Sequence, residues 1–177
     1  MAQQRTKKRA TRAKARSADN LYTLDVFIMS GPIARSFAKK NKVISRTIQI
    51  RGDQTLEELH HAIFNAFDRE EEHMYEFQIG GKGPMDPQAR RYVLPVGIHY
   101  LEPEGQPAED VKQTKIGSLG LRVKDVFGYW FDFGDDWWHQ INVVAIEEKA
   151  VRGKFPKVIK RIGKSPPQYA DWDEEED

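Results

Sequence analysis

From Phe127 to Trp138, seven of twelve side chains are aromatic, and Gly134-Asp135-Asp136 stands where two strand-like runs must reverse. The stretch reads as a β-hairpin, and its register follows from which pairing sorts apolar from polar side chains. A two-residue turn at Gly134-Asp135 would oppose Phe131 with Trp138 and Trp130 with His139, mixing the faces. A three-residue turn over Gly134-Asp135-Asp136 aligns Phe127, Tyr129, Phe131 and Phe133 with Val143, Ile141, His139 and Trp137 on one face. Gly128, Trp130, Asp132, Trp138, Gln140 and Asn142 then share the other. A one-residue slip would exchange the faces, so the sorting favours the odd-length turn. His139 is expected to point into the core, and Trp130, Asp132 and Trp138 to form an outward aromatic patch, a candidate binding surface.

Upstream, Tyr22, Leu24, Val26 and Ile28 alternate with Thr23, Asp25 and Phe27 as a first strand, and Val43 to Ile50 alternates as a second. Ile33 to Lys42 reads as a basic loop or short helical turn. Thr55 with Glu58 has capping-box spacing, and Leu56, His60, Ile63 and Phe67 fall on one helical stripe, with His61 toward solvent. His73, Tyr75, Phe77 and Ile79 alternate as a third strand. The expected fold is α+β: a mostly antiparallel or mixed sheet with a principal helix packed on one face. It starts strand-strand-helix-strand and carries the aromatic hairpin near its C-terminal end. Tyr92 to Leu101, interrupted by Pro95, is expected to be an edge strand at most, and Pro103 to Thr114 a polar loop. Lys149 to Lys164 interleaves basic and apolar residues, and is read as a stretch docked on the sheet or as a basic surface for phosphates.

The chain has 177 residues and is 39% hydrophobic, enough for one domain with a substantial core. It has no cysteine, which excludes disulfides, thiolate nucleophiles and sulfur-based zinc sites. No apolar run approaches the roughly 18 residues of a spanning helix, so no membrane partner is expected and a cytoplasmic location is. The net charge of +1 hides a segregation. Arg5, Lys7, Lys8, Arg9, Arg12, Lys14 and Arg16 crowd the N-terminus without an acid, while Asp171 and Asp173 to Asp177 make the other end acidic. Residues 1–19 and 168–177 are therefore expected to be disordered tails around a domain at 20–167. The basic run is a candidate nucleic-acid contact through phosphate neutralisation, or a solvated tail.

Three histidines, His60, His73 and His139, are each expected to face the core on separate grounds. Buried imidazoles need partners, which leaves separate hydrogen bonds, a polar cluster with water or a carboxylate, or a shared metal, with zinc the ion suited to neutral imidazoles. No other cofactor is indicated. Asp135 and Asp136 are explained by hydrogen bonds to their own turn, whereas Asp132, expected mid-strand, is disfavoured there and stands out. No serine sits in a nucleophile elbow.

Phe131-Asp132-Phe133-Gly134-Asp135-Asp136-Trp137-Trp138-His139, preceded by Thr55-Leu56-Glu57-Glu58-Leu59-His60 and His73-Met74-Tyr75-Glu76-Phe77, resembles the Ri-plasmid open-reading-frame-three-like family. The resemblance runs from about Tyr22 to Pro167. It departs from the family pattern at Ser45-Arg46-Thr47 and at Ser165-Pro166-Pro167-Gln168, where a family cysteine is missing. It implies a fold and a mobile-element neighbourhood with a resolvase-like label, not a reaction. The function expected is a non-enzymatic binding module contacting protein or nucleic acid. The alternative is a metal-assisted hydrolase or nuclease using the histidines and the hairpin aspartates.

Overall fold

Alternating apolar residues place Tyr22, Leu24 and Val26 in the core from one side of β1 (Leu21–Ser30), which pairs antiparallel with strands on both its edges. The computed structural model describes residues 17–101, 107–149 and 152–170. The strands that follow are β2 (Ser45–Arg51), β3 (Tyr75–Ile79), β4 (Arg90–Val93), β5 (Ala108–Asp110), β6 (Val126–Phe131), β7 (Trp137–Glu147) and β8 (Lys157–Ile162). They form one eight-stranded sheet in the order β5-β4-β3-β6-β7-β1-β2-β8, antiparallel throughout except for the parallel pair β4 and β5.

A six-residue helix, α1 (Arg35–Lys40), separates β1 from β2 and buries none of its residues. Helix α2 (Leu56–Ala66) begins at the capping box, in which Thr55 Oγ1 accepts from the Glu58 amide and the Glu58 carboxylate accepts from the Thr55 amide. Its stripe of Leu56, Leu59, His60, Ile63 and Ala66 is buried, and it packs on β2 and β8. No basic residue occupies its last turn. Arg46 Nε of β2 (2.8 Å) and Arg161 of β8 donate to Ala66 O instead, so two strand cations satisfy a carbonyl at the negative end of the helix.

Several expectations need correction. Pro95 does not interrupt a strand: it opens helix α3 (Pro95–Leu101), where its missing amide costs nothing and its fixed φ fits the first turn. The segment expected to be a polar loop contains β5. The Lys149 to Lys164 stretch contributes β8, an edge strand with Lys157, Lys160 and Arg161 exposed. The folded chain also outruns its expected boundary at Pro167. Gln168 is buried, its side-chain oxygen accepts from the Glu70 and Glu71 amides, and its Nε2 donates to Glu71 O. At the other end the Ser17 carbonyl packs against Gly52 and Gly117, where a Cβ would find no room.

The hairpin loop is five residues long, Asp132 to Asp136, not three. The pairs are Phe127↔Ile141, Tyr129↔His139, Trp130↔Trp138 and Phe131↔Trp137. The pairing is offset by two residues from the expected one, which keeps every strand residue on its predicted face. Only Phe133 leaves the core, reaching 37% exposure. Asp132 is not mid-strand on the outer face. It starts the loop at φ 56° and Asp136 closes it at φ 54°, left-handed positions that aspartate tolerates better than most residues. Among the described residues no helix is long and apolar enough to cross a membrane.

Candidate functional site

The polar side chains of interest lie where α2, the connection 68–73 and the hairpin meet. His60 is buried, with its ring stacked on Tyr75 at 3.7 Å and 1°. Its Nδ1 lies 2.8 Å from Tyr129 Oη and its Nε2 2.8 Å from Glu72 Oε2. Burial lowers its pKa to about 4, outweighing the opposite pull of Glu72. A neutral imidazole has a single N–H, and an ionised carboxylate only accepts. Nε2–H therefore donates to Glu72, and the Tyr129 hydroxyl donates to Nδ1. Burial also raises the Tyr129 phenol well above its ordinary value, which keeps it a donor.

His139, on β7, is fully enclosed. Burial, reinforced by the nearby Arg69 charge, lowers its pKa to about 3. Its Nδ1 donates to Tyr129 O at 3.3 Å, and its Nε2 has no partner among the described residues. His73 precedes β3 and its side chain is 34% exposed. Its Nε2 lies 2.9 Å from Tyr169 Oη and 3.4 Å from Asp132 Oδ2.

Of the three alternatives for His60, His73 and His139, the structure shows separate hydrogen bonds rather than one shared ion. The Tyr129 ring stands beside both His60 and His139, at 6.0 and 4.9 Å between centroids, and His73 is bound at the surface. Among the described residues the one group of three or more histidines and carboxylates with ligand atoms within 4.8 Å of one another is His60, His61 and Glu72. His61 is 55% exposed, as its place on the helical wheel predicts, whereas nothing in the sequence reading singled out Glu72. The available signal was the vicinal His60-His61 pair followed by the acidic run Asp68 to Glu72. Arg69 was not singled out either: it is buried with its guanidinium 3.6 Å over the Trp137 ring, both terminal nitrogens have no partner among the described residues, and burial lowers its pKa to about 10. Gly31 closes on the same indole from a position with no space for a side chain.

Asp132 is consumed by its own turn: Oδ1 accepts from the Gly134 (3.1 Å) and Asp135 (3.3 Å) amides, and its own amide donates to Met74 O. It does not lie between the tryptophans. Trp130 and Trp138 stack at 4.8 Å and 7°, Phe133 leans on Trp130 at 4.1 Å, and Trp130 Nε1 donates to Asp136 Oδ1 at 2.9 Å. Both indoles are partly exposed, giving a three-ring ladder beside Asp135 and Asp136. Arg5, Lys7, Lys8, Arg9, Arg12, Lys14 and Arg16 lie outside the described residues.

Residues 35–171 match the family model described as plasmid pRiA4b ORF-3-like protein. The chain belongs to this family. The match takes in α2, the connection 68–73 and the hairpin, whereas β1, central in the sheet, precedes it. No curated protein matches this family member. Its fold is similar to the crystal structure of a protein of unknown function, MM3350 from Methanosarcina mazei Go1, with a TM-score of 0.61 and 23% identity. That likeness covers 84% of this chain and 72% of the other and concerns the fold alone.

Proposed function

We propose that the protein is a non-enzymatic binding module that takes a cationic segment of a partner protein on the Phe133, Trp130 and Trp138 ladder. The observation that carries this reading is the ladder itself. Three large rings are stacked with two partly exposed indoles, and the central indole is fixed by Asp136. A rigid aromatic surface contributes contact area with little ordering cost, and aromatic anchors dominate protein interfaces. The adjoining Asp135 and Asp136 disfavour phosphates and suit arginine or lysine, which also stack on indole faces. The metal-assisted hydrolase or nuclease reading has less support. It needs the hairpin aspartates as bases or ligands, and Oδ1 of Asp132 is held by the turn and Oδ1 of Asp136 by Trp130.

The test is titration of the full chain with a fluorescent peptide of alternating arginine and glycine. Binding should weaken at least tenfold in the W130A/W138A double variant, and equal affinity in the two proteins, or no binding by either, overturns the reading. Nucleic acid is the second reading, favoured by the seven N-terminal cations. It predicts binding of a thymidine oligonucleotide whose slope of log affinity against log salt flattens when residues 1–16 are deleted. An unchanged slope removes it.

A further inference from the structure

We propose that His60, His61 and Glu72 form a binding site for a divalent cation of the zinc class, fastening α2 to the connection that precedes β3. His60 Nε2 lies 2.8 Å from Glu72 Oε2, His61 Nδ1 lies 3.5 Å from Glu72 Oε1, and the two imidazole centroids are 5.0 Å apart. Ligand bonds of about 2.0–2.2 Å in tetrahedral arrangement separate ligand atoms by roughly 3.5 Å. The His61–Glu72 separation is near that value through the other carboxylate oxygen, the His60–Glu72 hydrogen bond opens by about 0.7 Å, and the three ligand atoms lie within 4.8 Å of one another. Two imidazoles and a carboxylate suit zinc better than calcium or magnesium, which prefer all-oxygen sets.

A second, independent observation is the shell behind His60. A histidine that ligates through one ring nitrogen is normally oriented by a hydrogen bond at the other. Here Nδ1 faces Tyr129 Oη at 2.8 Å, and the ring is pinned flat against Tyr75. When Nε2 binds the ion, its proton relocates to Nδ1 through exchange with solvent. The Tyr129 hydroxyl then accepts from Nδ1–H, and the imidazole itself stays neutral. His61 and Glu72 are 55% and 53% exposed, which leaves the outer side of the site open for a water as fourth ligand. The site is distinct from the aromatic ladder and carries no claim of hydrolysis.

The experiment uses the full chain, purified without a histidine tag and stripped with chelator, titrated calorimetrically with zinc chloride at pH 7.5. One equivalent should bind with micromolar or tighter affinity. Affinity should fall at least tenfold in both H61A and E72Q, exposed substitutions that leave the core intact. Zinc should raise the thermal midpoint of the parent protein and not of either variant. No stoichiometric binding overturns the proposal. Binding that H61A and E72Q both retain, as an ion held by the acidic C-terminus would be, overturns it too.

Discussion

His60 and His139 are both buried imidazoles, yet their bonds predict different responses to substitution. His60→Leu strands the Tyr129 hydroxyl without a partner in the core and should cost about 1–3 kcal/mol in urea unfolding. His139→Leu removes one long bond together with a nitrogen that already lacks a partner, and should cost less than half as much. The same group sets a pH dependence. Its pKa is about 3 in the folded protein and about 6.5 when unfolded. Below the unfolded value the unfolded chain therefore binds the extra proton, and His139 lowers stability progressively as pH falls from about 6.5 toward 3. Between pH 7.5 and pH 4.5 the parent protein should lose roughly 2–3 kcal/mol more than H139L. Parallel losses in the two proteins would contradict the burial of a neutral imidazole at this position.

At the scale of the elements, Arg46 is the most connected polar side chain described. Its guanidinium donates to Ala66 O, Ser45 O, Ile162 O, Gly163 O and Ser165 Oγ, and lies 4.8 Å from the Phe67 ring centroid. It joins β2, the end of α2, β8 and the C-terminal segment. Arg46→Met should therefore cost about 3 kcal/mol or more. Arg46→Lys should restore little, because one ammonium cannot span the fan of acceptors; a near-parental melting curve for R46K would refute this role. Alternation and capping are local, and they made β1, β2, α2 and both faces of the hairpin legible in the sequence. The loop length was not, since a two-residue change of register leaves the sorting of faces untouched. Nor was the turn role of Asp132, which depends on a left-handed backbone that aspartate tolerates but does not announce. Strand β8 pairs through backbone groups with a strand more than a hundred residues earlier, and His61 meets Glu72 only because the connection folds back onto α2. Neither leaves a periodic trace.

Across the whole molecule, the apolar core is built on a single sheet, whose strand β3 is buried on both faces. Leu24, Ile48, Ile50, Phe77, Phe127 and Ile141 are fully buried under α2 and its neighbours, each contributing about 1.5–3 kcal/mol of burial free energy. The three histidines have separate partners, His60 and His139 within that core and His73 at the surface. Among the described residues, the aromatic ladder of the hairpin, with its flanking aspartates, is the stacked aromatic cluster that faces outward. If a partner docks on this ladder, as proposed above, the tryptophans provide their own reporters. Trp130 and Trp138 are partly exposed, whereas Trp137 is fully buried between Arg69 and Gly31. The deciding measurement is a two-dimensional nitrogen–proton spectrum of the full chain, recorded while the arginine–glycine peptide is added. The indole N–H signals of Trp130 and Trp138 should shift or broaden in proportion to occupancy while that of Trp137 stays in place. Binding accompanied by unmoved Trp130 and Trp138 signals, or by shifts confined to β8 and α1, would contradict the account.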